Sequence, residues 1–242
     1  MKDVIFAGLV VTAVFTGCEL AYLRGKKTGL TARYVVDACL WAAFTGFALS
    51  HVVMVAAYHP DLLMKNPLTL VMIWGGMSSF GGFFGGMAGI YIYLSRKKVP
   101  LLPYYEAIMF GFVPVWILGR LGCTITFDHP GTPTGFFLGM ADSTGVVRHN
   151  LGLYEMMWTI VITAALYSLR NYRPFTGFHS ALVIFMYAPV RFFFDSLRIS
   201  DQLYWGFTPG QYFSVALFML GAFIFLRGKK RKVGLKTALK VV

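Results

Sequence analysis

The chain is predicted to fold as an all-α integral membrane protein of seven transmembrane helices, and three observations carry that prediction. Apolar residues make up 57% of the 242 and charged residues only 13%, about half the charged fraction of an ordinary soluble domain. The apolar residues gather into runs of about 20, the length needed to cross a hydrocarbon layer of ~30 Å. The basic residues, which give a formal net charge of +12, collect in alternate connections between those runs. One transmembrane domain, residues 1–242, is the natural count.

The first span, 4–23, is followed by Arg24, Lys26, Lys27 and Arg33. The second, 34–58, leads to a short apolar stretch, 68–76, read as an interfacial or re-entrant piece before the third span, 79–95. Arg96, Lys97 and Lys98 close that third span, and the fourth is 104–121. The fifth, 151–170, ends on Arg170 with Arg173 just beyond, the sixth is 178–197, and the seventh, 208–226, precedes the basic tail Arg227–Lys240. Sixteen of the 22 basic residues lie in these alternate connections, which contain no Asp or Glu. Asp61, Asp128, Asp142 and Asp201 fall in the opposite set. Excess Lys and Arg marks cytoplasmic connections, so the N-terminus is expected outside and the C-terminus inside. The same distribution argues against nucleic acid, since a basic tail flanking a last span anchors against anionic lipid. The only long connection, 122–150, falls on the outer side, where a lid or binding loop is expected.

Once topology is set, the intramembrane charges sort by depth. Glu19, Asp37 and Glu106 fall near inner helix ends, where they can snorkel or pair with neighbouring Lys and Arg. Arg120, Glu155, Arg191, Asp195 and Arg198 all fall toward outer ends. A guanidinium ending an apolar run such as Ala107–Leu121 is costly to desolvate, and its default reading is a site that handles an anion. Tyr187, Arg191, Asp195 and Arg198 recur at helical spacing and form one stripe. Arg191 and Asp195 can simply neutralise each other at i, i+4. With Arg120 on another helix, however, two arginines can grip a phosphate or carboxylate bidentately.

The cluster Gly75–Gly86 has two readings. Small residues let helices pack closely. Alternatively Ser79, Gly81 and Gly82, at a helix start, let backbone N–H groups approach a lipid headgroup. Three cysteines, Cys18, Cys39 and Cys123, make no disulfide framework, and neither Asp128-His129 nor Cys123, His129 and His149 matches a standard metal spacing. No metal or cofactor is expected.

Five segments in this order resemble the prolipoprotein diacylglyceryl transferase family, and the likeness covers most of the chain. Gly75–Gly82 is similar to that family's Gly-Gly-Met-Ser-x-His-Gly-Gly, with Phe80 in the place of the histidine. Gly119-Arg120-Leu121-Gly122 resembles its Gly-Arg-x-Gly-Asn signature, with Cys123 standing where Asn is usual. Arg148-His149-Asn150-Leu151-Gly152-Leu153-Tyr154-Glu155 resembles its Arg-His-Pro-Ser-Gln-Leu-Tyr-Glu. The Tyr187, Arg191, Asp195, Arg198 stripe follows its Tyr-x-x-x-Arg-x-x-x-Glu-x-x-Arg, and Thr208-Pro209-Gly210-Gln211 its Thr-Met-Gly-Gln. Thr126 stands where a second Asn is usual, Asp128 where Glu is usual, and the family's first-span tyrosine has no clear match.

The resemblance implies a seven-span enzyme of the bacterial cytoplasmic (inner) membrane. It would move the diacylglyceryl group of phosphatidylglycerol to the cysteine thiol of a prolipoprotein signal peptide and release glycerol phosphate. Arg120 and Arg191 would neutralise the departing phosphate, Tyr187 would orient it, and Gly131 would sit in the stretch after the signature. If thiol activation is needed, histidine is the natural general base. His129, with Asp128 adjacent, would supply it from the outer connection, or His51 from within the bilayer, while His149 would hold the loop. Cys123 is either a nucleophile or a small buried side chain. Two alternatives stand beside this reading: a divergent relative using an anionic glycerophospholipid with another acceptor, and a non-catalytic lipid-binding or transport protein.

Overall fold

The computed structural model describes residues 2–72, 76–199 and 201–238, and it is predominantly helical. In chain order the helices are α1 (Lys2–Lys27), α2 (Ala32–Val53), the short α3 (Pro60–Lys65), α4 (Ser79–Arg96), α5 (Leu101–Thr126), α6 (Leu151–Ser168), α7 (Phe178–Ser196) and α8 (Pro209–Ala238). All but α3 overlap one predicted span each. By length and apolar composition α1, α2, α5, α6 and α8 can cross a membrane. Glycines dilute the apolar character of α4, and His179, Arg191 and Asp195 dilute that of α7. Gly75, the first glycine of the Gly75–Gly86 cluster, lies outside the described residues, as do residues 239–240 of the basic tail.

One boundary differs from the expectation for a physical reason, and another is met with a change of helix type. The fourth span was expected to stop at 121, yet α5 runs to Thr126. The Thr124 and Thr126 hydroxyls donate to the Arg120 and Gly122 carbonyls one turn back (2.8 and 3.0 Å), so these polar residues extend the helix with their own donors satisfied within it. The helix ends where Phe127 turns left-handed (φ 61°). The second apolar run does reach Tyr58, but its last turn, Met54–Tyr58, widens to a π-helix before Pro60 starts α3. The next stretch, Pro67–Val71, is a 3-10 turn capped by the Asn66 side chain.

The connection expected to be one outer loop from 122 to 150 is thus helix at its start and a small sheet afterwards. Its strands β1 (Pro130–Pro133), β2 (Met140–Ala141) and β3 (Val147–Asn150) are antiparallel in the order β1-β3-β2. Pro130 pairs with Asn150 and Met140 with Arg148. Asp142 closes the β2–β3 turn by accepting from the Thr144 and Val146 amides and from Arg148 Nε at 2.6 Å. The Thr144 hydroxyl and the Arg148 guanidinium hold its carboxyl below the usual carboxylate range. Asn150 then caps α6 by accepting from the Leu153 amide (3.1 Å).

The most extensive helix contacts join α2 to α4, α1 to α5 and α7 to α8. Gly81, Gly85 and Gly89 repeat every four residues along the α4 face against α2. A Cβ at Gly81 would stand 2.6 Å from the Leu49 carbonyl oxygen, so the backbones themselves are in contact. The larger apolar core is built by Phe80, Phe110, Val113, Ile162, Ile184 and Leu217, drawn from α4 to α8.

Prolines interrupt α5 and α7 at Pro114 and Pro189. Proline cannot donate to the carbonyl four residues back, and in an apolar environment that acceptor needs another partner. Tyr167 supplies it for Phe110, donating its hydroxyl to that carbonyl at 2.9 Å. Near the second break, Trp158 Nε1 donates to the Met186 carbonyl at 2.8 Å.

Candidate active site

The C-terminal ends of α5 and α7 and the N-terminal starts of α6 and α8 meet at one end of the helix array. The meeting point is charged, and its centre is Glu155 in the first turns of α6. Arg120 Nη2 from α5 lies 2.7 Å from Glu155 Oε2, and Arg191 Nη1 from α7 lies 3.0 Å from Oε1. The Tyr187 hydroxyl completes the group at 3.5 Å from both Arg120 Nη2 and Glu155 Oε2. All four side chains are buried; Arg120, Glu155 and Arg191 are each 3% exposed.

The α7 stripe extends the network. Arg191 Nη2 lies 2.7 Å from Asp195 Oδ1, and the Thr208 hydroxyl donates to Asp195 Oδ2. Thr208 and Gln211 form a reciprocal cap at the start of α8: the Thr208 amide donates to Gln211 Oε1, and the Gln211 amide to Thr208 Oγ1. Arg198 reaches Asp201 (3.2 Å) and donates from Nη2 to His129 Nδ1 (3.1 Å). Three guanidiniums (Arg120, Arg191, Arg198) therefore meet three carboxyl groups (Glu155, Asp195, Asp201). Burial pushes the Asp201 carboxyl up, against the pull of Arg198.

Aromatic faces floor the arginines. The Arg120 guanidinium stands 5.6 Å from the Trp116 ring centre, and that of Arg191 stands 5.4 Å from the Phe80 ring. The planar forks are not fully used: Arg120 Nε and Arg191 Nε are buried donors with no hydrogen-bond acceptor. A buried N–H without an acceptor is costly and calls for explanation, and a bound oxyanion supplies one.

Beside this cluster an apolar groove of about 570 Å³ lies between α6 and α7, lined by residues including Tyr154, Met157, Trp158, Phe193 and Phe194. Tyr154 and Phe194 immediately precede Glu155 and Asp195, so polar and apolar walls are one residue apart on the same helices.

A profile of the prolipoprotein diacylglyceryl transferase family matches residues 4–227. The chain belongs to this family. It is 28% identical over 230 residues to the phosphatidylglycerol–prolipoprotein diacylglyceryl transferase of Wolbachia pipientis subsp. Culex pipiens, an alignment covering 90% of this chain and 87% of that protein. It is 26% identical over 236 residues to the enzyme of the same name from Finegoldia magna, covering 95% and 93%. A third, from Leifsonia xyli subsp. xyli, is 27% identical over 96% of this chain and 75% of its own length.

Within that family frame the expected residues divide into three groups. Arg120, Glu155, Tyr187, Arg191 and Asp195 come together, but as a charge-balanced cluster, not as two open arginines facing a cavity. Glu155 already occupies both.

A second group sits beside the cluster. His129 Nδ1 accepts from Arg198, so the ring proton belongs on Nε2 and the lone pair a general base needs is taken. Burial, with Arg198, Arg120 and Arg191 nearby, pushes His129 well below the usual histidine range. Both facts count against the base role expected of it. Asp128 is exposed and makes no ion pair among the described residues. Gly131 bridges to Arg198 and closes tightly on His149, where a Cβ would stand 2.8 Å from the His149 Cβ. Cys123 is partly buried one turn beyond Arg120, where burial is the commoner role.

The third group lies elsewhere. His51 is 1% exposed and bonded through both ring nitrogens to backbone carbonyls, which removes it as a proton acceptor. His149 hydrogen-bonds Tyr154 at the groove. Ser79 is exposed, and Gly81 is pressed on α2, so the close-packing reading of the glycines holds there. Sequence reasoning missed Thr208 and Gln211 as supports of Asp195. Their signal was present as a Thr-x-x-Gln capping box with Pro209 at the first helical position. Glu106, expected to snorkel or to pair with a neighbouring Lys or Arg, takes the second course: it is 1% exposed, pairs with Arg173 (2.9 Å) and accepts from the His179 amide (3.1 Å).

Proposed function

We propose that this chain transfers the diacylglyceryl group of phosphatidylglycerol to a prolipoprotein cysteine at the outer leaflet of a bacterial cytoplasmic membrane. The observation that carries the reading is the pair of buried arginines, Arg120 and Arg191, each with an unused Nε–H, in a chain that belongs to this family. A lipid phosphate presents oxygens to those donors, and the apolar groove beside them accommodates hydrocarbon. As the thiolate sulfur bonds to the glyceryl carbon, the carbon–oxygen bond breaks and glycerol phosphate leaves. The phosphodiester monoanion becomes a monoester dianion, and the guanidiniums stabilise the added charge. The basic connections support an outside N-terminus and an inside C-terminus, which puts this end of the seven helices outside.

A second reading has its own observation. The family's glycine-flanked histidine is Phe80, and His129, the histidine bonded to Arg198 beside the cluster, spends its Nδ1 lone pair on that guanidinium. That favours an acceptor that arrives already ionised, or one other than a lipobox thiol. Purified protein with phosphatidylglycerol and a lipobox peptide tests both. Glycerol phosphate release with a lipidated peptide supports the first, and release without peptide modification supports the second. Retained turnover in Arg120→Ala or Arg191→Ala would refute the arginine assignment, since losing one such stabilising group costs ~10²–10³-fold in rate.

A further inference from the structure

The histidine the family carries on α4 is a phenylalanine here, while a buried histidine, His51, stands on α2. Its contacts are unusual. Nδ1 lies 3.0 Å from the Gly76 carbonyl oxygen and Nε2 lies 2.8 Å from the Thr69 carbonyl oxygen. A carbonyl only accepts, so each ring nitrogen must bring a hydrogen. A neutral imidazole has one, and an imidazolium has two.

The neighbouring residue does similar work. The Ser50 hydroxyl donates to the Ser78 carbonyl (2.7 Å), and the Ser78 amide donates to the Ser50 carbonyl (3.0 Å). The dipeptide Ser50-His51 thus ties α2 to Thr69 and to Gly76 and Ser78 ahead of α4. Ser78 is also the cap of that helix, accepting from the Gly81 amide at 3.3 Å. Two residues further on, Phe80 forms the floor under the Arg191 guanidinium and stacks on Phe213 of α8 (5.5 Å).

We propose that His51 is a positioning residue that carries both ring protons and clamps the Thr69 and Gly76 carbonyls, setting the start of α4 and hence Phe80 beneath Arg191. This rests on the transferase reading for its effect on turnover, but the clamp itself is measurable without turnover. It also accounts for a buried histidine that contributes nothing to proton transfer at the charged cluster.

The test compares His51→Phe, which keeps a ring and loses both donors, with His51→Lys, which keeps a donor-only cation. Hydrogen exchange of the 66–72 and 76–78 amides is read on the full-length protein in detergent, beside glycerol phosphate release from phosphatidylglycerol. The expected result is exchange at least tenfold faster in the Phe variant, with kcat lowered and KM little changed. The Lys variant should recover most of both losses. Nitrogen-15 spectra of the wild-type ring should show two protonated nitrogens. Unchanged exchange in His51→Phe, failure of Lys to do better than Phe, or a ring spectrum with one bare nitrogen each overturns the proposal. Loss of protection with full turnover refutes the link to Arg191. If wild-type protein releases no glycerol phosphate with any acceptor, the transferase reading fails, while the exchange and nitrogen-15 results still decide the clamp.

Discussion

Replacing Glu155 with Gln is the sharpest perturbation of the charged cluster, because one carboxylate serves two guanidiniums. Glu155 is 3% exposed and lies 2.7 Å from Arg120 Nη2 and 3.0 Å from Arg191 Nη1. The amide keeps the shape and one acceptor but turns its NH₂ toward an arginine and leaves a net positive charge. Removing one partner of a buried ion pair costs ~3–5 kcal/mol. For a chain of this size each kcal/mol moves the midpoint by ~2–4 °C, so the apparent midpoint should fall by roughly 6–20 °C. The same reasoning predicts a rescue. The variant lacks the internal anion that competes with a lipid phosphate, so glycerol phosphate should restore it more than it stabilises the wild type. A ligand at about 100 times its Kd contributes ~2.7 kcal/mol. Intrinsic tryptophan fluorescence on heating, with and without glycerol phosphate, reads both effects. A variant melting within about 2 °C of wild type, or lifted by the anion no more than wild type, would show that Glu155 does not hold the arginines in this way.

Three further outcomes are expected. Thr208→Val removes the hydroxyl shared by Asp195 and the α8 cap, and should cost ~1–3 kcal/mol in thermal unfolding, with Thr208→Ser near wild type. Gly81→Ala should destabilise by ~1–3 kcal/mol because its Cβ meets α2 backbone; Gly82→Ala, whose Cβ finds ordinary contacts at 3.8 Å, should be tolerated, and equal effects would refute the packing account. His129 sits below its ordinary range when folded, so the unfolded chain binds the proton first. Stability should therefore be full above pH ~6.5 and fall as pH drops below it, by at most ~1.4 kcal/mol per pH unit for one proton. His129→Gln, which keeps an acceptor for Arg198, should flatten that slope, and an unchanged slope would assign it to another group.

The legible parts were those written in long periodic patterns. Runs of about 20 apolar residues marked the long helices, of which α1, α2, α5, α6 and α8 are long and apolar enough to cross a membrane. The four-residue spacing of Tyr187, Arg191 and Asp195 marked the face of α7 that joins the charged cluster. What escaped were contacts between elements distant in sequence. Arg120 and Arg191 could be paired on paper, but nothing in their spacing reveals that Glu155 stands between them. Strands of two to four residues, such as Met140–Ala141, are too short to show alternation. His51 looked available because a histidine in an apolar run has no visible partner until the chain folds back to offer Thr69 and Gly76.

Pro114 and Pro189 bear on how the cluster could ever admit a lipid. Each breaks the backbone ladder below the guanidinium its helix carries, six residues before Arg120 and two before Arg191. Toward the opposite ends of the same helices, Glu106 of α5 and His179 of α7 are bolted to each other. Each helix is thus a jointed lever with a fixed foot. A proline lacks the N–H that ties one turn to the next, so bending either helix there costs less than elsewhere along it.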